Sequence, residues 1–285
     1  MAVILGLLVA ATYGAADFFG GLSSKRASVP AVVIVSQLAG LPLLAVLVVV
    51  VDGTLTARVV GIGAAAGVFG GIGLVGLYRG LASGPMSVVA PITAVGAALV
   101  PVVWGLIHGE RPARPALAGV ALALVAVALI SRSDDPAAGP AGEAGGSRAD
   151  RSGLLLAVVA GIGFGMVFVL LSTTGEDSGF WPLAAGRLIS IPLLAAGTVL
   201  TGRSFTVASR RAIFTVVGAG VLDASANALF LLASRAGLLA LVAPLSALYP
   251  ASTVLLARIV LDEQLGGLQV TGLALAGAGV VLMAL

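Results

Sequence analysis

Apolar residues fill ten stretches of the chain, each about as long as a bilayer is thick, and charged or turn residues punctuate them. The stretches cover about 2–22, 29–51, 57–78, 86–107, 113–131, 153–173, 180–201, 212–233, 238–258 and 267–285. A spanning helix takes roughly 20 apolar residues, so the pattern predicts ten transmembrane helices. The ~10-residue alternating segments of a membrane barrel are absent from it. Most connections are short, such as Ser23 to Ser28 and His108 to Arg114. The exception is 132–152, rich in Gly, Ala, Pro and charge. Such a segment cannot bury itself and reads as a flexible linker. It divides the chain into two domains of five spans each, 1–131 and 153–285.

The halves repeat one another. A shift of 153 residues sets "GPMSVVAPITAV" on "GLLALVAPLSAL", with Gly84 on Gly237 and Ala90-Pro91 on Ala243-Pro244. Without a gap, Glu110 then falls on Glu263 and Gly119 on Gly272. Residues 84 to 129 give 13 identities in 46 positions, against about five or six expected from so biased a composition. A duplicated unit of five spans must insert the second time with opposite topology. The fold class is therefore all-α, polytopic, with ten helices in two inverted five-helix repeats. Inverted repeats are the architecture of many secondary transporters, whose substrate site lies near the midplane between the repeats.

Composition agrees with a membrane interior and removes several chemistries. Apolar residues make up 59% of 285 and charged residues only 9%. With no cysteine and one histidine, His108, neither disulfides nor thiolate or His-cluster metal sites are available. The net charge of +3 fits loops anchored at headgroups and not a nucleic-acid surface. No basic segment precedes the first run, so it reads as a span and not as a signal peptide. The expected location is the bacterial inner membrane. The loops disagree about which way round: a Lys/Arg tally of the odd-numbered loops puts both termini outside by the positive-inside rule.

The motifs "APITAV…GERP…G" at 90–119, "APLSALYPASTVLLARIVLDEQL…G" at 243–272 and "YRGLASGPMSVVAP" at 78–91 resemble the EamA family of the drug/metabolite transporter superfamily. The resemblance covers nearly the whole chain as two tandem units. It implies a ten-helix carrier, often an exporter of amino acids or other metabolites, with both termini inside. Ala97 stands where the second copy has Pro250, so the fourth span need not bend as the ninth does.

Charge deep inside a span marks candidate chemistry, because an Asp near a helix centre costs roughly 2.5–3.5 kcal/mol on insertion scales. Asp17, Arg187 and Asp223 are the deep charges. Arg79 and Arg258 lie closer to span ends, where they can snorkel. Asp17 lies about 7 Å from the middle of its span at ~1.5 Å per residue, too deep for its short side chain to reach water outside. Both acids either face a polar cavity, holding an amine-bearing substrate or a coupling proton, or pair with a neighbour. Asn227, at i+4 from Asp223, and Ser225 offer local partners. Arg187 either receives a substrate carboxylate or pairs with an acid; the pairing is favoured. Gln37, Tyr13, Tyr78 and Tyr249 are the further polar-capable side chains. Tyr13, one turn before Asp17, either shares its cavity and hydrogen-bonds it or anchors at the interface. Pro91, Pro244 and Pro250 are candidate bending points. Gly63, Gly67 and Gly71 form a flat face for helix packing. Glu110 and Glu263 read as capping or loop-anchoring groups.

The expected activity is secondary transport, as an exporter, of a small metabolite such as an amino acid or amine-bearing compound, coupled to protons or working by exchange. The expected partners are a small-molecule substrate, a proton and the lipid bilayer, with no nucleic acid and no cofactor. No Walker-type loop precedes Lys25, which excludes an ATP-driven pump within this chain. The alternative is a channel or a structural membrane subunit; a channel would want rings of equivalent polar groups, and the deep charges are not repeated. An intramembrane enzyme would need a recognisable catalytic motif around Asp17 or Asp223.

Overall fold

The computed structural model describes residues 1–24, 27–83, 86–131, 147–202, 205–206, 210–262 and 264–285. In hydrocarbon every backbone N–H and C=O must find a partner within the chain, and a helix satisfies this locally. The apolar runs accordingly form α1 (Ala2–Ser24), α2 (Val29–Val50), α3 (Ala57–Ser83), α4 (Met86–Ile107) and α5 (Arg114–Ile130). The second half gives α6 (Ser147–Ser172), α7 (Trp181–Leu200), α8 (Arg210–Ala236), α9 (Leu239–Ser246), α10 (Tyr249–Leu261) and α11 (Gly267–Ala284). Among the described residues eight segments are long and apolar enough to cross a bilayer, Leu239–Leu261 counting as one, and the shorter apolar helices Ile92–Ile107 and Arg114–Ile130 complete ten. The protein is a multi-pass integral membrane protein of two repeats.

Two boundaries differ from the hydropathy reading. α6 begins at Ser147, ahead of the apolar stretch that starts at Gly153, because hydropathy marks the part of a helix in lipid and not the helix itself. The ninth span is broken between Ser246 and Tyr249. Pro250 has no N–H, and its ring crowds the carbonyl four residues back, which is that of Ser246; α9 stops there. Pro250 then occupies the first turn of α10, where a missing N–H costs nothing. Pro244 lies inside α9. α4, with Ala97 at the corresponding place, runs through without a break. The side chains of Pro91 and Tyr78 and all of Glu263 lie outside the described residues.

The most extensive helix pairings join the two halves, and they come in matched sets: α3–α6 with α1–α8, α3–α7 with α2–α8, and α4–α6 with α1–α9 and α1–α10. The pair α5–α11 is its own mate. A Cβ on Gly119 would lie 2.6 Å from the Gly279 carbonyl oxygen and 2.9 Å from Met283, and one on Gly272 would lie 3.1 Å from the Ala126 carbonyl oxygen and 2.7 Å from Ile130. Shifted by 153, Gly119 becomes Gly272, Ala126 becomes Gly279 and Ile130 becomes Met283. The two contacts are therefore one contact seen twice across a pseudo-two-fold axis, and each needs glycine so that two backbones can touch.

The same reasoning extends the correspondence to helices where residue identity hides it. Gly220 abuts the Ser36 backbone as Gly67 abuts the Gly186 backbone, and Gly67 is the 153-residue mate of Gly220, so Ser36 corresponds to Gly186, a register that also sets Pro42 on Pro192. Gly14 abuts the backbone of Thr253, and Gly165 abuts Val100, the mate of Thr253; α1 thus lies on α6 with Gly14 on Gly165. In this register Tyr13 corresponds to Phe164 and Asp17 to Phe168.

The repeats close around the middle of the bundle from opposite sides. Positions 1 and 285, the α2–α3 and α6–α7 connections and the start of α9 share one face, called here the terminal face. The end of α5 and the start of α6 lie on the other, the linker face. Near the terminal face Leu44, Phe168, Leu171, Phe180, Leu183 and Phe230 are buried in one apolar cluster with Leu239.

Candidate functional site

A cavity of about 540 Å³ runs along the interface between the repeats. Gly20, Gly21 and Leu77 line its end near the linker face, at the last turns of α1 and α3. Leu171 and Leu183 line its opposite end, where α6 stops and α7 starts. Between them it collects the deep polar side chains singled out above: Tyr13, Asp17, Gln37, Arg187, Asp223, Asn227 and Tyr249.

Two of the three deep charges pair. Arg187 on α7 forms an ion pair with Asp223 on α8, Nη2 to Oδ2. The arginine side chain is 15% exposed and the carboxylate 36%, so the bond sits at the cavity wall and not behind it. Asn227 completes the arrangement, its Nδ2 donating to the Asp223 carbonyl at 2.8 Å and to Oδ2 at 3.4 Å. Ser225 turns away and donates to the Val221 carbonyl of its own helix. Two donors, Arg187 and Asn227, thus hold one acid, in the way a charge is tolerated at membrane depth.

Asp17 is different. It is exposed and lines the cavity, and its carboxylate has neither an ion pair nor a hydrogen bond among the described residues. Tyr13 shares its cavity without bonding it: the Tyr13 ring packs against Phe168 and Tyr249, with centroids 6.4 Å away in both cases. Tyr249 is the first residue of α10, so the break in the ninth span delivers its ring to the cavity.

Gln37 also faces a partner across the repeat interface. Ser190 on α7 donates its hydroxyl to Gln37 Oε1 at 2.6 Å, which leaves the amide N–H groups of Gln37 as donors. Ser190 escaped the sequence reading because a serine in a span commonly bonds its own helix; its position three residues after Arg187 was the available signal. Phe164 and Phe168 were missed as well, and both line the cavity. The glycines of α3 serve twice: Gly63 and Gly67 let α7 approach, while Gly67, Gly70 and Gly71 form cavity wall.

Most of the deep polar groups have an apolar mate in the other repeat. Asp223 corresponds to Gly70, Asn227 to Leu74 and Asp17 to Phe168, and these three apolar mates line the same cavity, whereas Gln37 and Arg187 correspond to each other as unlike polar groups. A scaffold of two similar halves therefore encloses a site of two unlike walls. Phe168 stacks on Phe230 at 4.2 Å between centroids, and the two rings are 8% and 0% exposed. The mates of this plug are Asp17 and Leu77, which are cavity wall.

On the terminal face the connections are tied to one another. Thr54 N–H donates to the Asp177 carbonyl at 2.6 Å, and Arg235 donates to Ser178 Oγ at 2.8 Å and the Gly179 carbonyl at 2.9 Å. Glu110 accepts from the Leu239 and Ala240 amides at 2.8 and 2.7 Å, capping α9 as its loop position suggested. Among the described residues no group of three or more His, Asp or Glu side chains is placed to hold a metal ion.

Comparison with known proteins agrees with this arrangement. A solved crystal structure, described only as that of a protein, superposes with a TM-score of 0.77 at 17% identity and covers 100% of this chain and 98% of its own; at that identity the likeness speaks for the fold. Curated proteins gave no match. The model of the EamA-like transporter family matches residues 1–132 and again 151–285. Ten helices in two inverted repeats around a central cavity, together with a family match over nearly all residues, settle the relationship: the chain belongs to the EamA-like transporter family.

Proposed function

We propose that this protein is a secondary carrier that exports a small metabolite, an amino acid or other amine-bearing compound, by alternating access, in the bacterial inner membrane. The two five-span repeats act as the moving units, and the stretch between α5 and the start of α6 at Ser147 acts as the tether. One observation carries the reading. The cavity reaches Asp17 and Gly21 toward the linker face, whereas Phe168 and Phe230 fill the corresponding place toward the terminal face. Inverted repeats that differ in this way can exchange conformations, so that the plugged end opens as the other closes. A carrier needs one closed end at every moment, which a channel does not. Asp17 suits the loading step, because its carboxylate has room for either a substrate amine or a proton. The return step then takes a proton or a counter-substrate to the same place.

The test is counterflow. Proteoliposomes preloaded with unlabelled candidate amines or amino acids should accumulate labelled compound transiently, with no membrane potential applied. Continuous ion conductance without counterflow would contradict the carrier reading.

A further inference from the structure

We propose that the site selects an organic monocation, a primary amine with an apolar body, over the corresponding zwitterionic amino acid. The inference rests on the transport reading for its biological sense but concerns binding alone.

An amino acid would need two charged anchors, a carboxylate for its ammonium and a cation for its carboxylate. Arg187 is the one basic side chain among the described residues that line the cavity. It is already neutralised by Asp223, which Asn227 holds in place. A substrate carboxylate would have to displace Asp223 and leave it as an unpaired acid in a poorly solvated site, which is costly. No mate of Arg187 supplies a second cation, because the neutral Gln37 stands at the corresponding position. With two acids and one base, the described lining carries an excess of one negative charge, and it is located at Asp17.

The surroundings of Asp17 fit the rest of such a molecule. Tyr13, one turn away, and Tyr249 place two aromatic rings beside the carboxylate, and aromatic faces attract ammonium groups. Phe164, Phe168 and Leu74 offer an apolar wall across the cavity. The cavity volume of about 540 Å³ lies within the usual range for small-molecule sites, roughly 300–1,000 Å³.

The experiment compares phenethylamine with phenylalanine, which differ by one carboxylate, on the purified full-length protein in detergent. Melting temperature is read against ligand concentration, since a ligand that prefers the folded state raises it. Phenethylamine should stabilise the wild type at millimolar concentrations and phenylalanine should not. Asp17→Asn should weaken the amine by about tenfold or more, the scale of one charge-assisted contact, while Asp17→Glu restores it. Equal or stronger stabilisation by phenylalanine overturns the proposal, as does amine binding unaffected by Asp17→Asn or no response to the amine at all. Counterflow keeps this outcome separate from the transport reading. Amine binding without counterflow would count against transport and leave the charge selectivity standing. Counterflow of phenylalanine without amine binding would do the reverse.

Discussion

Asp17 and Phe168 hold corresponding places in the two inverted halves, yet one is a carboxylate exposed in the cavity and the other is packed under an aromatic ring. The contrast with α5 and α11 is instructive. There Gly119 and Gly272 make the same backbone contact twice, with the same kinds of neighbours. The duplicated fold has kept its symmetry where helices must touch and lost it where the cavity must recognise something. Binding requires unlike groups on facing walls, and a carrier that alternates between two states requires only that the helices permit both. The scaffold and the site are thus under different physical demands within the same repeats.

Five single substitutions and one double variant probe that contrast, beginning with the most damaging. Asp17→Asn should reduce transport by about ten- to a hundredfold, the loss of a charge-assisted contact, with normal expression and an unchanged elution volume. If Asp17→Asn transports at the wild-type rate, the polar wall has no role in loading. Arg187→Ala comes next. It strands Asp223 and should cost about 2–3 kcal/mol of stability, less than the 3–5 kcal/mol of a fully buried pair because the carboxylate is partly exposed. The double variant Arg187→Ala/Asp223→Ala should recover part of the lost melting temperature; no recovery would mean that the pair is not coupled.

The scaffold half of the comparison makes a more demanding test, since it expects equality. Gly119→Val and Gly272→Val each overpack the α5–α11 contact and should each cost about 1–3 kcal/mol. The two losses should match within about 1 kcal/mol, read by thermal unfolding of the purified variants. A large loss in one and none in the other would break the symmetry argument. The smallest effect belongs to Glu110→Gln. The amide keeps one acceptor for the α9 amides and should cost about 1 kcal/mol, the scale of a helix cap, without altering substrate preference.

Much of the architecture is legible from sequence because the repeat retains rare residues in register. Ala90-Pro91 against Ala243-Pro244 and Glu110 against Glu263 stand out in sequence where most neighbouring positions are interchangeable aliphatics. The relation of α1 to α6 is not legible this way. Asp17 and Phe168 share no chemistry, the connections between spans have changed length, and only the contacts of Gly14 and Gly165 recover the register. The candidate site shows the same division. Each deep charge stands out singly by its cost in hydrocarbon, but which acid Arg187 takes is decided by the adjacency of α7 and α8, a tertiary matter. Asp223 has Arg187 and Asn227; Asp17 is left to the cavity. Pro250 marks a weak point in the ninth span, whereas the consequence, a Tyr249 ring delivered to the cavity beside Tyr13, depends on how α10 packs on α1.

The central claim is that the two ends of this cavity open in alternation, and the chain's lack of cysteine permits a direct measurement. Single cysteines are introduced at Gly21, near the linker face, and at Leu171, near the terminal face. Each is exposed to a membrane-impermeant thiol reagent, from each side in turn, in sealed vesicles. Gly21→Cys should react from the linker side while Leu171→Cys is protected, and conditions that drive turnover should slow the first reaction as they speed the second. Simultaneous full reactivity of both positions from their respective sides would describe an open pore and contradict the account.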